Sequence, residues 1–408
     1  MADHRDMTGL LHRRFLTLLV VLFAAAAFTA PLNALLPAYM ETALGRPTQF
    51  TGRIMGLIMA AAGIWFLVGG ALADMLGAKR TLVVGLAAYG VCGSIFLVSW
   101  APLIVGLAVV IGLGFALQTS GAQSYLLGAV HADRMGMGAA MFFVSMNLGS
   151  AVGAALLGPL ADRLGYPIMG SVMLAGLAVV IVASMIALAG QPAATGPRRT
   201  LASMLTGYGD LWSRVAVRWL LATRFLTAAT WGMATFAFPY LLYKVTGTNK
   251  EPAYFHATSL MLATGAQFGC GRLCDRLGVR WPVRILAMLL IVCFFLTALC
   301  VHTRAGLWIG GIAITAVAWS LSTTMPALMR SMTSESQKGR IVGATHVAWA
   351  AGMVTGQVGG GWLLDPRFDP AACYFAASVC CAAGAICAWM ATRPFPGARL
   401  RSRQCPAR

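Results

Sequence analysis

"GALADMLGAKR", Gly70 to Arg80, sets an aspartate between glycines and closes on a Lys-Arg pair. The chain around it is apolar: 59% of its 408 residues are hydrophobic and 10% are charged, against about a quarter charged in a soluble domain. The stretch has a second copy, "GRLCDRLGVR", Gly271 to Arg280. Gly70, Asp74 and Gly77 match Gly271, Asp275 and Gly278 at a constant offset of 201, and Lys79 matches Arg280. A further set, Gly136, Gly149, Gly153, Gly158 and Asp162, matches Gly339, Gly352, Gly356, Gly361 and Asp365 at an offset of 203. The chain reads as one unit written twice, in parallel, about an axis along a membrane normal.

Apolar runs of about 20 residues, the length a helix needs to cross hydrocarbon, recur throughout. They place twelve spans at 16–38, 53–73, 81–99, 103–127, 139–161, 168–189, 219–242, 255–273, 283–301, 306–328, 341–363 and 372–392. The expected fold class is an all-α polytopic membrane protein with twelve transmembrane helices in two pseudo-symmetric six-helix bundles. A barrel would show short alternating segments instead. The long polar interruption, with "GQPAATGPRR", reads as a linker. It divides the chain into a bundle at 1–189, a linker at 190–217, a bundle at 218–393 and a basic tail at 394–408. The N-terminus resembles a signal peptide ending in "AFTA", but the apolar run continues through "PLNALLPAYM", so an uncleaved first helix is expected.

A net charge of +18 would suggest nucleic acid in a soluble protein. Here the basic residues sort by side. With the N-terminus in the cytoplasm, only Arg46, Arg53, Arg163, Lys244, Lys250, Arg304 and Arg367 face outward, and Arg224 lies inside a span. All other Lys and Arg fall on the cytoplasmic side, which orients both termini inward. A bacterial inner membrane, a lipid partner and no nucleic acid are expected. The ten cysteines read as buried thiols; Cys270 and Cys274 share a face, but nothing completes a metal set. No cofactor is expected.

Twelve spans, a central linker and G-x-x-x-D-x-x-G-x-K/R after spans two and eight resemble the major facilitator superfamily of secondary transporters. The resemblance covers essentially the whole chain. It implies alternating access around one central site lined by spans one, four, seven and ten. It also implies a cytoplasmic gate of Gly70, Asp74, Gly77, Lys79 and Arg80 with Gly271, Asp275, Gly278 and Arg280. There Asp74 faces the chain near Arg340, and Asp275 the chain near Arg134. "GPLADRLG" (158–165) repeats the pattern on the outer side, where Asp162 and Arg163 either close the opposite gate or cap a turn. The ladders Gly149-Gly153 and Gly352-Gly356 are close-packing surfaces on spans five and eleven. Two features depart from the family's proton-coupled and drug-antiporting members. Ala154, not proline, follows Gly153, and Ala108 stands where span four would carry arginine.

Ionisable groups within spans default to functional candidates, and no carboxylate lies mid-span. Arg224 either binds an anionic group or snorkels to headgroups. His346 either carries a coupling proton or packs through a hydrogen bond. Uncharged polar residues fall on helical faces: Asn33 in span one; Gln118 and Tyr125 in span four; Trp231 and Thr235 with Arg224 in span seven; Thr315, Trp319 and Ser322 in span ten. Such a set suits a moderately polar, partly aromatic organic molecule. The expected function is export of a small organic solute (drug, siderophore or metabolite) driven by a proton gradient, by a monomer. Import of an organic anion or siderophore-like solute is the alternative, and a non-transporting sensor a remote one. Neither paired acids nor H-x-x-x-H marks an enzyme, and no P-loop marks ATP-driven transport.

Overall fold

The computed structural model describes residues 13–130, 135–190, 212–332 and 338–393. Within them the chain forms twelve helices and no strand. These are α1 Arg13–Thr42, α2 Thr48–Leu76, α3 Ala78–Gly90 extended by a 3₁₀ turn Val91–Phe96, α4 Ala101–Ala129, α5 Met135–Leu164 and α6 Tyr166–Ala187. The second set is α7 Val215–Thr246, α8 Lys250–Leu277, α9 Arg280–Cys300, α10 Arg304–Met332, α11 Lys338–Leu363 and α12 Ala371–Ala391. Nine of them are long and apolar enough to cross a membrane by that measure alone. Of the other three, α3 is short, and α8 and α11 carry the polar groups of the seams described below. "AFTA" lies inside α1, which runs on through Pro31 and Pro37. Residues 191–211 of the linker expected at 190–217 and the tail at 394–408 lie outside the described residues, and α7 begins at Val215, inside the expected linker.

The helix ends follow from local chemistry. Prolines open α4 and α6, where a missing N–H costs nothing. Gly247, at φ 68°, closes α7 and donates its N–H to Tyr243 O. The repeated D-x-x-G explains itself here. Gly77, Gly165 and Gly278 have φ of 87°, 85° and 74° with ψ near-extended, a region open essentially to glycine. Each turns one helix sharply into the next, three residues after Asp74, Asp162 and Asp275.

Helices α1–α6 pack among themselves, chiefly α1 on α5 and α6, and α4 on α2 and α3; α7–α12 repeat this with α7 on α11 and α12. The glycine ladders serve these internal contacts. Gly149 and Gly153 lie against the carbonyls of Phe23 and Ala27 on α1; Gly352 and Gly356 lie against those of Phe225 and Ala229 on α7. A β-carbon at any of the four would collide with backbone. The ladders therefore bind α5 and α11 each to its own half. The halves meet along two seams, α2 with α11 and α5 with α8, with α1 against α7 between them.

Candidate functional site

Two faces of the molecule need names. The terminal face carries the start of α1 and the end of α12. The distal face carries the ends of α1, α5, α7 and α11 and the starts of α2 and α8.

The distal face is shut. On the α5/α8 seam Asp162 accepts from Asn249 N at 2.8 Å, Asn249 Nδ2 at 2.9 Å and Lys250 N at 2.9 Å. It caps the N-terminus of a helix in the other half, where unpaired N–H groups and the helix dipole favour an anion. Tyr166 adds its hydroxyl to Asn249 Oδ1 at 2.6 Å. Of the two readings of Asp162 the structure thus favours closure across the halves. On the α2/α11 seam Gln49 Nε2 donates to Asp365 Oδ2 at 2.9 Å and Thr48 Oγ1 to Gly361 O at 3.0 Å. A β-carbon at Gly52 would come within 2.5 Å of Gln357 O. Between the seams Glu41 pairs with Lys244 and accepts from Tyr240.

Deeper in, the α5/α8 seam holds Ser150 Oγ 3.1 Å from His256 Nε2, and Asn147 Nδ2 3.4 Å from Gln267 Oε1. Among the described residues, the hydrogen bonds joining the halves lie on the distal side or at mid-depth. Toward the terminal face, Gly265, Gly269 and Gly271 on α8 have open space where a β-carbon would sit. The gate expected on that face falls largely outside view. Arg134 and the side chains of Asp74, Asp275 and Arg340 lie outside the described residues. Lys79 donates to Met185 O at 2.7 Å, within its own half, and Arg80 and Arg280 are exposed.

At mid-depth the halves enclose Arg224. It is the tenth residue of α7, about 14 Å along the helix from the terminal face. Its NH1 donates to Ser322 Oγ on α10 at 3.1 Å, and its guanidinium lies 6.0 Å from the Trp349 ring on α11. The side chain reaches across to α10 and α11 rather than out to headgroups. Among the described residues no carboxylate pairs with this cation to offset its desolvation.

Aromatic rings surround it. Trp231 meets Trp319 edge-on with centroids 6.3 Å apart; Phe115 lies 6.4 Å from Trp349 and 6.0 Å from Phe66. His346 lies 5.1 Å from Phe66, and its Nδ1 is 2.8 Å from Val342 O. A carbonyl only accepts, so Nδ1 carries the hydrogen and Nε2 is left to take a proton or a ligand. Trp319 Nε1 is a buried donor without a partner. Asn33 is the exposed residue within the otherwise buried run 30–40 of α1, as a group facing a cavity would be.

Other expected cavity residues sit elsewhere. Tyr125 is fully buried among Phe15, Leu18 and Leu82 and donates to Ala189 O at 3.3 Å. It fills the first half's core and does not line the cavity. Gln118 is buried with its backbone against Gly85 of α3. The polar face expected on span four is thus a packing face, and Phe115 reaches Trp349 instead. Thr315 is buried, and Thr235, half-buried one turn beyond Trp231, keeps a place beside the cavity; both donate to carbonyls of their own helices, Gly311 and Gly232. Sequence reasoning passed over Phe66, Phe115 and Trp349. For Trp349 a signal existed: it lies three residues after His346, on the same helix face.

The family model for the major facilitator superfamily matches residues 17–314 and 225–404. The chain belongs to the major facilitator superfamily. It is an integral multi-pass secondary transporter of that superfamily, as the doubled motif implied. Solved structures agree on the fold. A variant of the nucleoside transporter NupG superposes with TM-score 0.78 at 14% identity, covering 93% of this chain and 99% of its own. The human organic anion transporter MFSD10 gives 0.69 at 17% identity, covering 92% and 99%. A POT family transporter in complex with a thioalcohol-conjugated peptide gives 0.76 at 13% identity, covering 91% and 94%.

Proposed function

We propose that this transporter carries a small organic anion with an aromatic or apolar body, and that Arg224 binds the anionic group. The observation that carries the reading is a part-buried guanidinium about three turns into α7, with one hydroxyl partner and no carboxylate partner among the described residues. An incoming carboxylate, sulfonate or phosphate would accept from its free N–H groups and offset its desolvation. Ser322 and Trp319 Nε1 add donors, and Trp231, Phe66, Phe115 and Trp349 supply apolar faces for the rest of the molecule.

Alternating access follows from the seams. The distal side is shut in this state, and opening it must break Asp162 from the start of α8 and Gln49 from Asp365. The charge asymmetry supports a cytoplasmic terminal face with both termini inward, and a bacterial inner membrane is the setting proposed. Export driven by a proton gradient is the working direction, supported by the glycine-bearing span five and the aromatic cavity. His346 Nε2 is the candidate proton carrier, and the site is built from one chain, as a monomer requires. Uptake of an organic anion is the second reading, and the same Arg224 favours it equally.

The test is binding and transport in proteoliposomes, with candidate anions chosen by comparing metabolites retained by cells with and without the protein. Arg224→Ala is expected to lower anion affinity by about tenfold or more, with Arg224→Lys between. Wild-type affinity in Arg224→Ala, or equal binding of an uncharged isostere, would falsify the anion reading. Gradients imposed in either direction show which way transport runs.

A further inference from the structure

Away from the central cavity, the start of α9 and the end of α12 frame a groove of about 400 Å³ on the terminal face. Its walls include Leu277, Arg280, Trp281, Arg284 and Thr392. Arg284 is fixed from two directions. Its Nε donates to Thr392 Oγ1 at 2.9 Å and its NH2 to Thr392 O at 3.3 Å. Its guanidinium lies 4.0 Å from the Trp389 ring and 5.8 Å from that of Trp281. NH1 makes no hydrogen bond to the described residues. One turn earlier Arg280 is exposed and has no hydrogen bond or ion pair among them. The described lining holds no carboxylate.

Positive-inside sorting alone would place arginines here but would not build this arrangement. The first half shows the difference. Lys79, the counterpart of Arg280, is spent on Met185 O. At the same offset Arg80 stands opposite Trp281 and Val83 opposite Arg284, so the first half lacks both the pinned arginine and the indole. Among the described residues, the second half has two guanidiniums lining one groove at a helix end. Trp281 and Trp389, 57% and 45% exposed, sit at the depth where indoles meet headgroups. Leu277, 56% exposed, continues the apolar wall.

We propose that this groove binds the phosphate of an anionic phospholipid. Arg280 and the free end of Arg284 hold the phosphate, and Trp281 and Trp389 bracket the glycerol and upper acyl region. Charge selects the ligand class: two cations, Arg284 held in place and Arg280 open to solvent, with no acid in the described lining favour an anion. The exposed indoles and leucine select a lipid over a free anion. The groove adjoins the α8–α9 turn at Gly278, so a bound lipid would tie the second copy of the doubled motif to the end of α12.

The test counts lipids on the purified full-length transporter by native mass spectrometry, with phosphatidylglycerol and phosphatidylcholine titrated separately. The expected result is preferential retention of phosphatidylglycerol, about tenfold weaker in Arg280→Ala and substantially restored in Arg280→Lys. Arg218→Ala, an exposed cation of the same face, is expected to retain it. Trp281→Ala is expected to weaken phosphatidylglycerol without changing the preference over phosphatidylcholine. Equal retention of both lipids, wild-type retention in Arg280→Ala, or an equal loss in Arg218→Ala would overturn the site. Displacement of the lipid by millimolar inorganic phosphate would overturn the lipid as its occupant.

Discussion

Asp162 and Asp365 occupy matching positions in the two copies of the repeat, yet they close their seams differently. Asp162 gives both oxygens to the start of α8 in the other half. Asp365 gives one to Gln49 of the other half and shares both with Arg367 in its own loop. The α5/α8 seam is therefore a carboxylate latch on a helix end. The α2/α11 seam relies on close packing of Gly52 against α11, supported by Thr48 and Gln49. Both seams also carry a close glycine contact, Gly158 on Ala253 and Gly361 on Gly52, so the difference between them lies in how the aspartate is used.

The packed seam is the one a single substitution breaks hardest. Gly52→Leu would drive a side chain into Gln357 O, a backbone atom that cannot swing aside. Transport is expected to fall more than about tenfold, with labelling of Thr48→Cys from the distal side increased. Normal transport and an unlabelled Cys would show that packing does not hold this seam.

Next comes the latch. Asp162→Ala removes a cap of the kind worth about 1 kcal/mol, so the ratio of distal-open to distal-shut molecules should rise roughly fivefold. Asp162→Asn keeps an acceptor but loses the charge, and should fall between. Asp365→Ala should move the ratio by less than about twofold, because much of its bonding is local. An equal response at the two aspartates would erase the contrast.

The smallest expected effect is that of pH. Hydrogen bonds from the Arg367 side chain and N–H hold the Asp365 carboxyl below the usual aspartate range. A lowered value means its contribution is complete above the unfolded value, about 4, and is lost only as pH falls through the lower folded one. Between pH 5 and 8 the α2/α11 seam should not change. A transition there that disappears in Asp365→Asn would contradict this.

The fold was legible in the sequence because its determinants are local. Apolar length defines helices, and D-x-x-G marks turns that need a positive φ at Gly77, Gly165 and Gly278. The family resemblance implied which helices meet, span two with eleven and span five with eight, and those are the seams. The glycine ladders show the limit of spacing: it identified a close-packing face but not the partner, which is α1 or α7 within each half. Span four shows another limit. Its polar residues, Gln118, Thr119, Ser120, Gln123 and Ser124, run round the helix instead of along one side, so the alignment of Gln118 with Tyr125 could not distinguish a cavity face from a packing face. The structure turns that face to α3 and the core and presents Phe115 instead. Arg224 stood out because charge is rare in spans. Phe66, Phe115 and Trp349 did not, because aromatics are common in them. Which face was closed depends on contacts between residues more than 80 apart in the chain, such as Asp162 with Asn249, and no local pattern encodes it.

The most direct test of the unequal seams is a pair of distance measurements by pulsed electron resonance on the reconstituted transporter. Spin labels at Leu164 and Tyr254 report the α5/α8 seam, and labels at Arg53 and Trp362 report the α2/α11 seam; all four residues are exposed. Wild type should give short, narrow distributions at both. Asp162→Ala should add a longer population, wider at α5/α8 and several times larger than the one Asp365→Ala adds. Unchanged distances in Asp162→Ala, or the larger opening in Asp365→Ala, would contradict the account.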